Sequence, residues 1–218
     1  EEAHQNPADR VAPPSEAKVA RHNAMKARLL EGNADLLFIG DSITEGWEGA
    51  GKEVWDYYYA DRNAVNLGTS GDRTYHVLWR LDDLDFSKVS PKLAVIMIGT
   101  NNHGIHTAEQ VAEGVTAIVQ SVRGKLPQIK VLLLGILPRE TAPDAENRQK
   151  LAAANAILSG LDDGQNVFFL DIGEEFLTDE GVLPESIMPD ALHPNTQGYW
   201  IWARAMEPAV ARLLGTIA

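Results

Sequence analysis

Five short runs in this chain are apolar at almost every position: 35–40 (DLLFIG), 64–68 (AVNLG), 93–99 (LAVIMIG), 129–135 (IKVLLLG) and 166–171 (NVFFLD). A strand with one wet face alternates apolar and polar residues. These runs do not alternate, so both faces of their sheet must be covered, as in a parallel sheet between two helix layers. Amphipathic stretches fill the gaps, at 15–30, 74–81, 107–126, 144–161 and 196–214. Strand and helix in alternation give a doubly wound α/β domain. The 218 residues suffice for one such domain. The expected division is an extended, mobile proline-containing arm over 1–14 and a single domain over 15–218.

Charge and cysteine usage narrow the function. Lys+Arg is 19 and Asp+Glu is 31, so the formal net charge is −12. Nucleic acids and anionic membranes need clustered cations, and are excluded as main partners. The apolar runs are far too short to cross a bilayer. With no cysteine, the chain cannot carry a disulfide scaffold, a thiolate zinc site or a cysteine nucleophile. It begins Glu1-Glu2-Ala3, without Met or a signal segment. The expectation is a processed, exported protein, periplasmic or extracellular, with the cytoplasm as the alternative.

In open α/β sheets the ligand site lies outside the carboxyl ends of the strands. The residues that follow the runs are Asp41-Ser42, Thr69-Ser70-Gly71-Asp72, Thr100-Asn101-Asn102-His103 and Pro138-Arg139, with Asp190 to His193 further on. Ser42 would present its hydroxyl at a strand end beside the free N–H groups of a helical turn; alternatively Ser42 or Asp41 merely caps that turn. A nucleophilic serine needs a base and an orienter for the base. His193 and Asp190, three residues apart, can come from one loop, with Pro194 and a cap at Asn195 fixing it. Gly71 can offer an unobstructed backbone N–H and Asn101 a neutral side-chain donor to an oxyanion.

The blocks Gly40-Asp41-Ser42-Ile43, Gly68-Thr69-Ser70-Gly71-Asp72, Gly99-Thr100-Asn101-Asn102 and Asp190-Ala191-Leu192-His193-Pro194 resemble, in order and placement, the four blocks of the SGNH, or GDSL, hydrolases. The stretches over 71–81 and 99–103 are similar to the platelet-activating-factor acetylhydrolase Ib branch. The resemblance implies a flavodoxin-like three-layer α/β/α sandwich with a five-stranded parallel sheet ordered 2-1-3-4-5. It implies Ser42 as nucleophile, His193 as base, Asp190 as its orienter, and an oxyanion hole from the Ser42 and Gly71 N–H groups and the Asn101 side chain. It also implies an esterase without cofactor or metal, acting on short, foremost acetyl, esters, with a carbohydrate or small-molecule ester as substrate and a second copy as partner in a homodimer. Two positions depart from the pattern: Thr69-Ser70 stands where the acetylhydrolases carry Ile-Gly, and Asn102 where many SGNH enzymes carry Asp.

Competing readings attach to several residues. Ser70 partly mimics a nucleophile elbow, but Asp72 replaces its final Gly. His103 and His106 could ligate a metal, though they sit on a loop without an HExxH motif. Asp41, Trp47, Arg73, Asn102 and His103 are candidate substrate contacts, and Arg139 could orient a polar substrate. Trp47, Trp55 and Tyr57 to Tyr59 read first as packing of the first crossover. A lysophospholipase or thioesterase, or a flavodoxin-like binding module without catalysis, are the alternative functions; no Gly-x-Gly-x-x-Gly or Walker pattern supports the last.

Overall fold

A computed structural model describes residues 5–13 and 15–215. Five strands form one parallel sheet: β1 (Leu36–Gly40), β2 (Ala64–Asn66), β3 (Leu93–Met97), β4 (Lys130–Leu134) and β5 (Val167–Leu170). Their order is β2-β1-β3-β4-β5, the flavodoxin-like arrangement expected. In register, Phe38 of β1 faces Val95 of β3, which faces Leu132 of β4. Among the described residues the α-helices are α1 (Glu16–Leu30), α2 (Ser42–Glu45), α3 (Lys52–Tyr58), α4 (Thr74–Asp83), α5 (Ala108–Lys125), α6 (Glu146–Leu158) and α7 (Thr196–Leu214), with short 3-10 turns between them.

The strands are apolar at all positions but Asn66 and the exposed Lys130, because nearly every side chain has a core to enter. Leu37 and Ile39 join Ile96, Leu133, Leu78, Ile118 and Leu151 beneath α1, α4, α5 and α6. Leu36 and Phe38 join Val95, Leu132, Trp47, Tyr199 and Trp202 beneath α3 and α7. Local signals set the helix ends. Ser15 caps α1 through the Lys18 N–H, Thr107 and Gln110 form a reciprocal capping box on α5, and Asn195 caps α7 through the Gly198 N–H.

The arm differs from expectation. Its described part is docked, with Pro7 and Pro13 buried. The Val11 N–H donates to Tyr75 O (3.1 Å), the Thr74 hydroxyl to Pro7 O (2.8 Å), and His106 Nε2 to Gln5 O (2.7 Å). Proline-rich polar composition reads as loose, yet the Gln5 and Pro7 carbonyls have found donors on the loop before α5 and on α4.

Candidate active site

The chain runs from β1 outward to β2, then back across to β3, so the switch point of the sheet lies between β1 and β3. Loops diverge there and leave a crevice. Ser42 leaves the end of β1 through Gly40-Asp41. A Cβ on Gly40 would lie 2.5 Å from Met97 O and would also strike the Thr44 side chain, so only glycine fits this exit. Asp41 caps α2, its Oδ1 accepting from the Ile43 N–H at 3.0 Å. As first residue of α2, Ser42 has no intrahelical acceptor for its own N–H. On α7, the Tyr199 hydroxyl donates to Ile43 O (2.6 Å) and ties the turn to the core.

His193 reaches the same place from the far end of the chain. Ser42 Oγ lies 2.9 Å from His193 Nε2, and His193 Nδ1 lies 2.5 Å from Asp190 Oδ2. With Nδ1–H donating to the carboxylate, Nε2 accepts from the serine. Asp190 Oδ1 also accepts from the backbone N–H groups of His193 (2.7 Å) and Leu192 (3.0 Å), which closes the loop on itself. Burial pushes the Asp190 pKa up, but the bonds from His193 and Leu192 outweigh it and hold the carboxyl below its ordinary value. A hydroxyl held to an imidazole that is held to a carboxylate can lose its proton during attack on an electrophile. The site is open, since the His193 and Asp190 side chains keep 43% and 54% of their exposure.

Two further loops flank Ser42. Gly71 adopts φ +77°, a Cβ there would lie 2.7 Å from Lys18 Nζ, and its N–H finds no acceptor among the described residues. Glu45 grips this loop, accepting from the Ser70 N–H (2.8 Å) and its hydroxyl. Ser70 is thus bound to a carboxylate and has no histidine partner among the described residues. Asn101 Nδ2 donates one hydrogen to Asp72 O (3.0 Å), which orients the amide and leaves its second hydrogen unspent. Beneath lies an ion pair absent from the sequence reading: Arg80 Nε donates to Asp72 Oδ2 (2.6 Å) and Nη2 to Oδ1 (3.2 Å), with Asp72 and Arg80 only 0% and 2% exposed.

Three candidate substrate contacts are corrected. Trp47 is fully buried among Phe38, Tyr59, Tyr199 and Trp202, so it packs the core and lines no pocket. Asp41 is buried as a cap, and burial pushes its pKa up to about 7. Asn102 is buried: its Oδ1 accepts from the Thr74 N–H (3.1 Å), and its Nδ2 donates to Thr74 Oγ1 (2.9 Å) and meets His106 Nδ1 (2.9 Å). Arg73 stays half-buried and donates to Asn101 O (3.0 Å), bracing that loop. His103 Nδ1 lies 2.8 Å from Thr100 O and 3.0 Å from Arg139 Nη1; burial and that guanidinium lower its pKa. Both ring nitrogens of His106 are engaged, with Gln5 O and Asn102, so the His103–His106 pair does not converge on a metal.

Residues 38–201 match the GDSL-like lipase/acylhydrolase family. The chain is 35% identical to the platelet-activating factor acetylhydrolase IB subunit alpha1 of Homo sapiens, over 96% of this chain and 92% of that one. Among solved structures, it resembles a GDSL-like lipase from Bacteroides thetaiotaomicron (TM-score 0.72, 20% identity, 90% of this chain and 97% of that one). It also resembles an acetylxylan esterase from Geobacillus stearothermophilus (TM-score 0.64, 19% identity, 85% and 96%). On the extent of these matches, the chain belongs to the GDSL-like lipase/acylhydrolase family.

Proposed function

We propose that the protein is a serine esterase for short acyl groups, acetyl foremost, and that a carbohydrate carries the ester. The observation that carries the reading is the 2.9 Å approach of Ser42 Oγ to His193 Nε2 with Asp190 behind it. His193 Nε2 takes the hydroxyl proton as Oγ bonds to the ester carbon. The carbonyl oxygen becomes an oxyanion met by the N–H groups of Ser42 and Gly71 and the second Asn101 Nδ2 hydrogen. Its collapse breaks the bond to the alcohol, which leaves with the proton from His193. Water, deprotonated by the same nitrogen, then releases the acid from Ser42.

The open crevice supports a soluble or polymer-borne ester over an interfacial lipid, because the His193 side chain keeps 43% of its exposure. Likeness to an acetylxylan esterase in fold supports the carbohydrate reading; likeness to an acetylhydrolase subunit supports platelet-activating factor as the alternative substrate. The cysteine-free composition is compatible with an oxidising compartment as with a reducing one, and fractionation of the native source tests export. Ser42→Ala should abolish turnover of p-nitrophenyl acetate with circular dichroism unchanged. Full turnover in that variant, or inhibition by chelators, refutes the mechanism. An acyl-length series should favour acetyl, and acetylated xylan assayed beside platelet-activating factor decides the alcohol.

A further inference from the structure

Four described non-glycine residues have left-handed backbone: Asn33, Asn63, Glu140 (φ 65°) and Ala191 (φ 58°). Asparagine tolerates this region; Glu and Ala do not. The two strained residues lie against each other, the Glu140 N–H donating to Ala191 O at 2.9 Å. Ala191 sits inside the Asp190–His193 loop. On the other side, Arg139 Nη1 donates to Thr100 O (3.1 Å) and lies 3.2 Å from Thr100 Oγ1, one residue before Asn101. Residues 139 and 140 therefore bridge the loop of the base and the loop of the oxyanion donor.

Strained backbone persists only where its surroundings over-determine it. Here one side chain does so. Arg148, near the start of α6 and 7% exposed, donates from Nε to Arg139 O (3.0 Å), from Nη2 to Glu140 O and Thr141 O (3.3 Å), and from Nη1 to Gly181 O (2.8 Å). No ion pair to it exists among the described residues; carbonyl dipoles meet its charge at hydrogen-bond distance, with the Glu140 carboxylate acting from further away. The planar fork spreads five donors over the four carbonyls, whereas an ammonium offers three donors from a single point. Lys150, from the same helix, donates to His103 O (2.7 Å) and secures the neighbouring loop.

We infer that Arg148 is a positioning residue for hydrolysis: by holding residues 139–141, it fixes the separation between the His193 loop and the Asn101 loop. It touches no reacting atom. The inference rests on the roles proposed above for His193 and Asn101. Arg148 also lines an open cavity of about 380 Å³ between α6 and the ends of β4 and β5, with Leu151, Asn155 and Phe169. Truncating the side chain leaves a hole that a free guanidinium can enter from solvent.

The test compares Arg148→Ala and Arg148→Lys with the unaltered chain in three readouts. These are kcat and KM for p-nitrophenyl acetate, the same with guanidinium or urea added far below denaturing concentrations, and the downfield proton resonance of His193 Nδ1–H without substrate. The expected result is a kcat about a hundredfold lower in Arg148→Ala, the order of loss an ångström of misplacement causes, with KM within a few-fold. Guanidinium, but not urea, should recover part of it, Arg148→Lys should recover little, and the resonance should shift in both variants. Full kcat with an unmoved resonance overturns the inference. So does a loss that merely tracks the unfolded fraction and resists guanidinium. If the unaltered chain hydrolyses no ester while the resonance still moves, the esterase reading fails and the brace stands; an unmoved resonance in that case overturns the brace as well.

Discussion

Asp41 is the residue whose replacement says most about this site. It is 2% exposed, and burial lifts its pKa from 3.8 to about 7, against the lowering effect of the Ile43 N–H bond. The folded state therefore binds a proton at Asp41 more tightly than the unfolded chain does. The resulting stability is fully present below about pH 4 and is lost as pH rises through about 7. A shift of roughly three units corresponds to about 4 kcal/mol across that window. Asp41→Asn keeps an oxygen to cap α2, since asparagine caps as well as aspartate, and cannot ionise. Urea unfolding at pH 5 and pH 8 reads the effect. The stability of the variant relative to the unaltered protein should rise by about 3 kcal/mol between the two pH values, since only the stretch from pH 5 to about 7 of that window lies between them. Any steric or amide-donor cost of the substitution is common to both and cancels. Parallel pH profiles for the two proteins would show that Asp41 does not titrate between its two states, and the reasoning from burial would fall.

Other substitutions probe the loops around Ser42. Asn101→Ala should lower kcat by about a hundredfold or more, the cost of one oxyanion donor, with a smaller change in KM; a raised KM with kcat intact would make Asn101 a substrate contact instead. Arg80→Met strands the Asp72 carboxylate in the core and should cost about 3–5 kcal/mol in chemical denaturation; a loss under 1 kcal/mol would show that water reaches Asp72. His106→Ala leaves Gln5 O and the Asn102 amide short of a partner and should cost about 1–3 kcal/mol, with hydrogen exchange rising in the arm; unchanged protection there would show that the arm is held by Pro7 and Val11 alone.

The fold was legible because its strands are buried on both faces, so their composition carries the answer without periodicity. Caps carried the helix ends: Ser15, Thr107 and Asn195 stand where the chain turns into α1, α5 and α7. Segment 46–62 was harder. Gly46, Gly49 and Gly51 break it, and the seven residues of α3 are too short for a helical period to emerge. Ser42, Asp190 and His193, which the structure brings within hydrogen-bond reach, stood out because a hydroxyl after a strand and a carboxylate three residues from an imidazole form a legible pattern. Trp47 could not be placed, since an aromatic ring in a core and one in a pocket have the same composition. Asp41 and Asn102 misled for a related reason: a buried, fully bonded polar side chain reads like one facing substrate. Arg148 gave no signal at all, because an arginine on an amphipathic helix reads as solvent-facing.

The two carboxylates on either side of Ser42 show how one crevice shifts their pKa values in opposite directions. Asp190 lies half-exposed, and the bonds it accepts from His193 and Leu192 hold its pKa down, so it stays charged at neutral pH and can stabilise the imidazolium formed when His193 takes the serine proton. Asp41 lies under the turn that presents Ser42, with one N–H partner and the charge of Asp72 opposing its own ionisation. A second full negative charge there would face an oxyanion held at the N-terminus of α2. Burial weakens that charge near neutrality while keeping the oxygen that caps the helix. Sequence demands an acid at both positions; the surrounding solvent and hydrogen bonds decide which of them remains an anion when negative charge develops on the substrate.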